Sequence, residues 1–78
     1  MKIVRVVADT DGYVAVYVDG FLYKHDECFY ASLLPSDEIV RLYAYELTHE
    51  ATRKIVADLT CGAFPERFTY FTEGDFDD

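Results

Sequence analysis

The sequence predicts an α+β domain: an antiparallel sheet of three to four strands, packed on one face by one or two helices. Three observations carry this. Asp19-Gly20 separates two runs rich in β-branched and aromatic residues, the pattern of a tight hairpin. Residues 13–18 alternate with a period of two. Beyond Ser36 the apolar residues recur instead at helical spacing.

The first strand is expected at Lys2 to Ala8, which is dense in Val and Ile. Asp9-Thr10-Asp11-Gly12 is a turn cluster. Tyr13 to Val18 forms the second strand. Asp19-Gly20 follows, because glycine tolerates the positive φ of a type I′ turn. Phe21 to about His25 returns as the third. A two-residue turn sets Val18 opposite Phe21 and Val16 opposite Tyr23, so Val14, Val16, Val18, Phe21 and Tyr23 share one face, joined by Val4 and Val6 in a meander.

Ser36-Asp37-Glu38 has the chemistry of a helix start, with a capping hydroxyl and two acids at the positive end of the dipole. Val40, Ala44, Leu47, Ala51, Ile55 and Leu59 then follow a helical period, and Cys61-Gly62 supplies a stop. A single helix over this stretch would span ~39 Å, against ~23 Å for a seven-residue strand. A break near Leu47-Thr48, with Thr48 as a second cap, relieves the overhang. Arg67 to Thr72 reads as a fourth strand or an extended edge. The expected core is Val14, Val16, Val18, Phe21, Ala44, Leu47, Ile55 and Leu59.

One domain is expected over residues 1–72, with an acidic, mobile tail over 73–78. A chain of 78 residues buries only ~60% of its unfolded surface, so stability is marginal. Seven Tyr and six Phe compensate in part. The apolar start is short and interrupted by Arg5, unlike a secretory signal, so a cytoplasmic location is expected. Cys28 and Cys61 fit free thiols in a reducing compartment, with a disulfide between them as the less favoured reading.

The charge is the most informative bulk property. Fifteen Asp and Glu stand against seven Lys and Arg, a net charge of −8. A folded domain so charged repels nucleic acid and anionic membrane and is attracted to basic surfaces. On the expected helix the charges pair at i, i+4: Asp37 with Arg41, Glu50 with Lys54, Lys54 with Asp58. The unmatched acids lie in turns and tail. Asp9, Asp11, Asp26 and Glu27 should meet at one end of the meander. Asp is also a turn former for local reasons, so solubility and partner binding both remain open readings. The sheet face opposite the helix should carry Ile3, Arg5, Val7, Tyr17, Leu22 and Lys24. It is either an interaction surface or covered by a later segment.

Catalytic signatures are missing. His49-Glu50 opens like a zinc-protease helix, but Arg53 stands where the second His belongs. His25-Asp26-Glu27-Cys28 is dense in ligand types, yet neighbours along a strand point to opposite faces. No Gly-rich phosphate loop and no basic stripe occur. No metal, no cofactor and no enzymatic activity are expected.

In size, acidity and layout, with hairpin strands around Asp19-Gly20 and a helical stretch from Ser36 to Gly62, the chain resembles the small phage-encoded anti-CRISPR proteins, particularly inhibitors of type I surveillance complexes. The class shares no motif, and no residue role is carried over from it. The resemblance implies a non-enzymatic inhibitor in the host bacterial cytoplasm. It would bind a basic, nucleic-acid-binding surface of a CRISPR effector and block DNA recognition by charge mimicry. The alternative is a small acidic antitoxin or regulator masking a basic protein. On either reading Asp9, Asp11, Asp26 and Glu27 are the expected anionic contacts. Tyr13, Tyr17 and Tyr23 are the aromatic anchors, with Tyr23 the first candidate for burial instead. The chain is expected to be a monomer or weak dimer, with no direct contact to nucleic acid or membrane.

Overall fold

The computed structural model describes residues 2–58 and 64–77. It is an α+β fold built on a five-stranded mixed sheet. The strands are β1 (Lys2–Ala8), β2 (Val14–Val18), β3 (Phe21–Asp26), β4 (Ile39–Leu47) and β5 (Phe76–Asp77), and the one described α-helix is α1 (His49–Asp58). The spatial order is β3-β2-β1-β4-β5.

The first three strands form the expected meander. Val4 pairs with Val18 and Val6 with Val16 across β1 and β2. The hairpin turns at Asp19 (φ 52°) and Gly20 (φ 90°), both in the left-handed region a type I′ turn requires. Val18 lies opposite Phe21 as expected, but a bulge follows: Tyr17 pairs with Leu22 and Val16 with Lys24, not Tyr23. Tyr23 is the extra residue, so the expected Val16–Tyr23 pair does not form.

The largest departure concerns residues 36–47. The expected helix from Ser36 is absent there. Ile39–Leu47 is a strand that runs parallel to β1, with Val4 opposite Leu42 and Val6 opposite Ala44. The segment satisfies two periods at once: 40, 44 and 47 fit a helix, while 41, 43, 45 and 47 fit a strand. Its β-branched and aromatic residues favour the strand, and pairing with β1 decides it. The sheet is therefore mixed rather than purely antiparallel. Asp37 and Arg41 do not share a helix, and their expected i, i+4 pair is not made.

A boundary does fall at Leu47-Thr48, but it separates a strand from the helix rather than two helices. Thr48 Oγ1 accepts the Ala51 N–H at 3.1 Å, capping α1. Phe68–Tyr70 is a 3-10 turn, and Arg67 makes only an isolated bridge to Phe21, so the expected fourth strand at 67–72 is replaced. Residues 73–77 of the acidic tail form a further 3-10 turn and β5, which pairs with Glu46 and Leu47. The expected stop at Cys61-Gly62, the core position Leu59 and the state of Cys61 lie outside the described residues.

The two faces of the sheet are exchanged relative to expectation. Helix α1 and the 64–76 segment cover Val7, Ala15, Tyr17 and Leu22, together with Leu47, Ala51, Ile55, Phe64 and Phe71. The Val14/Val16/Val18 face looks away from the helix. A small cluster of Val4, Val16 and Leu33 covers part of it. The reason lies in β2, whose Val14, Ala15, Val16 and Tyr17 are all buried. A strand buried on both faces has no polar side to mark the exterior. Phe21 and Ala44, expected in the core, are exposed. Leu47 and Ile55 are buried as expected.

Tyr17 anchors the helix-side core. It is fully buried, its hydroxyl donates to the Pro65 carbonyl at 2.7 Å, and its ring meets Phe68 and Phe71 edge-on. Burial pushes its phenol well above the ordinary value of 10.0. The folded state therefore holds this proton at a pH where the unfolded chain releases it. The sign follows: stability is untouched below about pH 10 and falls as pH rises further. Denaturant midpoints measured from neutral to strongly alkaline pH should show this fall, and Tyr17→Phe should flatten it. An equally steep fall in Tyr17→Phe would assign the alkaline loss elsewhere.

Candidate protein-binding site at the acidic end of the sheet

The turn after β1 is held by its own first residue. Asp9 Oδ1 accepts the N–H of Asp11 and of Tyr13, both at 2.9 Å, and Gly12 supplies a φ of 93°. The next tie is to the helix. The Thr10 N–H donates to Thr52 Oγ1 at 3.2 Å, and Thr52, itself buried, donates on to the Thr48 carbonyl. Thr10 Oγ1 also lies 3.4 Å from His49 Nδ1. These contacts fix the 9–12 turn against the N-terminus of α1.

Strand register brings the remaining acids to the same end. Asp26 pairs with Val14, two residues past that turn, so Asp26 and Glu27 lie at the same end of the sheet. Asp9, Asp11, Asp26 and Glu27 are thus brought together as the sequence suggests. Four more acids join them. Glu46 lies opposite Ala8, Asp77 opposite Glu46, Glu50 opens α1, and the Asp75 carbonyl accepts the Thr48 N–H. Sequence reasoning placed Glu46 on a helix and gave Glu50 a cation. Only the β1–β4 pairing and the return of β5 reveal their position, and no local signal encodes either.

No ion pair is formed at this end among the described residues. Among the described residues both ion pairs belong to Lys2, with Asp19 at 3.7 Å and Asp37 at 3.9 Å, at the opposite end of the sheet. The Lys54 ammonium lies over the Tyr70 ring at 5.8 Å, and Arg5 is held over the rings of Phe68 and Tyr43. The acids gathered at this end are thus without an ion-pair partner among the described residues.

The aromatic candidates divide. Tyr13 (47% exposed) and Tyr23 (45%) are accessible, Tyr13 directly beside the acids. Tyr17, not Tyr23, is the buried one, so it cannot anchor a partner. Tyr30 (52%) and Phe29 (48%) follow the acidic pair in sequence and are also exposed. Among the described residues no group of His, Cys, Asp and Glu is arranged to hold a metal ion, and no helix is long and apolar enough to cross a membrane. Comparison with protein-family models, curated proteins and solved structures finds no match.

Proposed function

We propose that this chain is a non-catalytic binding module that docks, acidic end first, on a basic, nucleic-acid-binding protein surface. The observation that carries the reading is the gathering of Asp9, Asp11, Asp26, Glu27, Glu46 and Glu50 at one end, with both described ion pairs at the other. Such an end presents to a protein what a phosphate backbone presents, and a protein that reads phosphates with Lys and Arg is its complement. The resemblance to anti-CRISPR proteins makes a type I CRISPR effector subunit the specific target we propose, with DNA recognition as the step blocked. Charge would set the association rate and partner choice, while Tyr13, Tyr23 and the neighbouring Phe29 and Tyr30 would supply the buried contacts.

The test is capture of purified type I effector complex, with a DNA-binding assay as the functional readout. Reversing Asp11, Asp26 and Glu27 to Lys together with Asp9→Asn, which removes the charge but keeps the oxygen that accepts the Asp11 and Tyr13 N–H groups, should abolish capture and restore DNA binding while leaving the thermal melt intact. Capture should also weaken steeply with salt. Capture that survives both reversal and salt would reject charge mimicry. In a parallel capture from host lysate, recovery of a single small basic toxin in place of effector subunits would favour the antitoxin reading.

A further inference from the structure

The two edges of the sheet are treated differently. The β3 edge is closed at its start, where the Leu22 N–H donates to the Glu66 carbonyl at 2.7 Å and the Phe68 N–H to the Gly20 carbonyl at 2.9 Å. Its remainder carries Lys24, His25 and Asp26, the charged residues that discourage strand pairing. The β4 edge has neither protection. Among the described residues β5 pairs only with Glu46 and Leu47, and no other described strand pairs with the outer side of residues 39–45. That stretch holds one charge, Arg41, among Ile, Val, Leu, Ala and two Tyr. Val40 is 50% exposed and Leu42 55%.

Hydrogen-bond alternation shows which groups are free. The Lys2 N–H donates to the Glu38 carbonyl, and the Ile3 carbonyl accepts the Asp19 N–H, so even residues of β1 face β4 and odd ones face β2. Val4 and Val6 therefore engage Arg41, Tyr43 and Tyr45. Leu42 and Ala44 turn their N–H and C=O groups outward. Directly along this edge, where β5 begins, lies an open cleft lined by Ala44, Tyr45, Phe76, Glu73 and Asp77. Apolar and aromatic walls with two carboxylates suit the stem and head of a Lys or Arg side chain.

We propose that the outer edge of β4 is a strand-addition site for an extended segment of a basic partner protein. The segment would pair its backbone with Leu42 and Ala44 and seat a Lys or Arg in the cleft of Glu73 and Asp77. The inference rests on the reading that the partner is basic, and it adds the backbone and the cleft that hold it. Charge decides against a second copy as the occupant. Each copy carries −8, and pairing residues 39–45 on themselves about Leu42 sets Glu38 of one copy beside Glu46 and Asp77 of the other.

The probe is a capped nonapeptide of alternating valine and threonine with one arginine near its end, titrated into isotopically labelled protein. Amide shifts and slowed exchange should centre on Leu42 and Ala44. Ala44→Pro removes an outward donor at an edge position that tolerates proline. It should weaken binding by up to about tenfold, the loss of one net hydrogen bond. Leu42→Lys, at an exposed position, should do the same by charging the edge, and keeps the test open if the proline variant melts early. Joint reversal of Glu73 and Asp77 to Lys should weaken the arginine peptide about tenfold and leave its glutamine counterpart unchanged. Shifts centred elsewhere, no shifts at millimolar peptide, or a dimer of the free protein that Ala44→Pro dissolves would overturn the proposal. Effector capture lost on reversing the 9–12 and 26–27 acids but untouched by Ala44→Pro and Leu42→Lys would reject strand addition alone. Peptide binding at Leu42 and Ala44 without any effector capture would reject the effector reading alone.

Discussion

Tyr17→Ala should unfold the protein or bring it to the edge of unfolding at room temperature. The side chain is fully buried, and truncating a buried large aromatic costs ~3–5 kcal/mol through lost transfer energy and the cavity left behind. Its partners make collapse of the site difficult. Phe68 and Phe71 meet the ring edge-on at 5.6 and 6.0 Å, and the Pro65 carbonyl loses its hydroxyl donor. A small domain has only ~5–15 kcal/mol in total, and this one sits at the low end of the size range. Tyr17→Phe separates the contributions. It keeps the ring and removes only the hydrogen bond, so a cost of ~1–3 kcal/mol is expected. Chemical denaturation followed by circular dichroism measures both. A Tyr17→Ala variant as stable as the parent would mean that the 64–71 segment does not pack on this face.

The second large effect is a contrast between two residues that sequence patterning places together in the core. Ile55→Ala should cost ~2–5 kcal/mol, because Ile55 is 6% exposed and packs with Leu47, Ala51 and Phe64 beneath α1. Phe21→Ala should cost about 1 kcal/mol or less. Phe21 is 55% exposed, and its ring gains only the Arg67 guanidinium at 5.1 Å. The measurement is the shift in denaturation midpoint at constant slope. Equal losses would mean that Phe21 is buried, and would return the helix to the Val16 face.

These two residues show where local patterning stops being informative. Ile55 lies on a helix with one apolar side, so its period identifies its direction. Phe21 lies on a sheet whose neighbouring strand is apolar on both faces, so its period identifies a pair of faces but not which is covered. The same limit acts at the binding end. The meander alone predicts that Asp9, Asp11, Asp26 and Glu27 converge, because hairpin register is a local property of the Asp19-Gly20 turn. Glu46, Glu50, Asp75 and Asp77 reach the same end only through a parallel pairing and a C-terminal return, each closing a long loop.

From the sequence alone come the α+β class, the hairpin, the helix cap at Thr48, the acidic imbalance and the cluster in the 9–12 and 26–27 turns. All of these depend on contacts within a few residues or on composition. Tertiary structure decides the rest. It turns 39–47 into a strand, since pairing with β1 outweighs an ambiguous period. It chooses the Tyr17 face for the helix, since Phe64, Phe68 and Phe71 arrive there from the far end of the chain. And, among the described residues, it leaves the outer side of 39–45 without a strand partner, because the two residues of β5 pair only with Glu46 and Leu47.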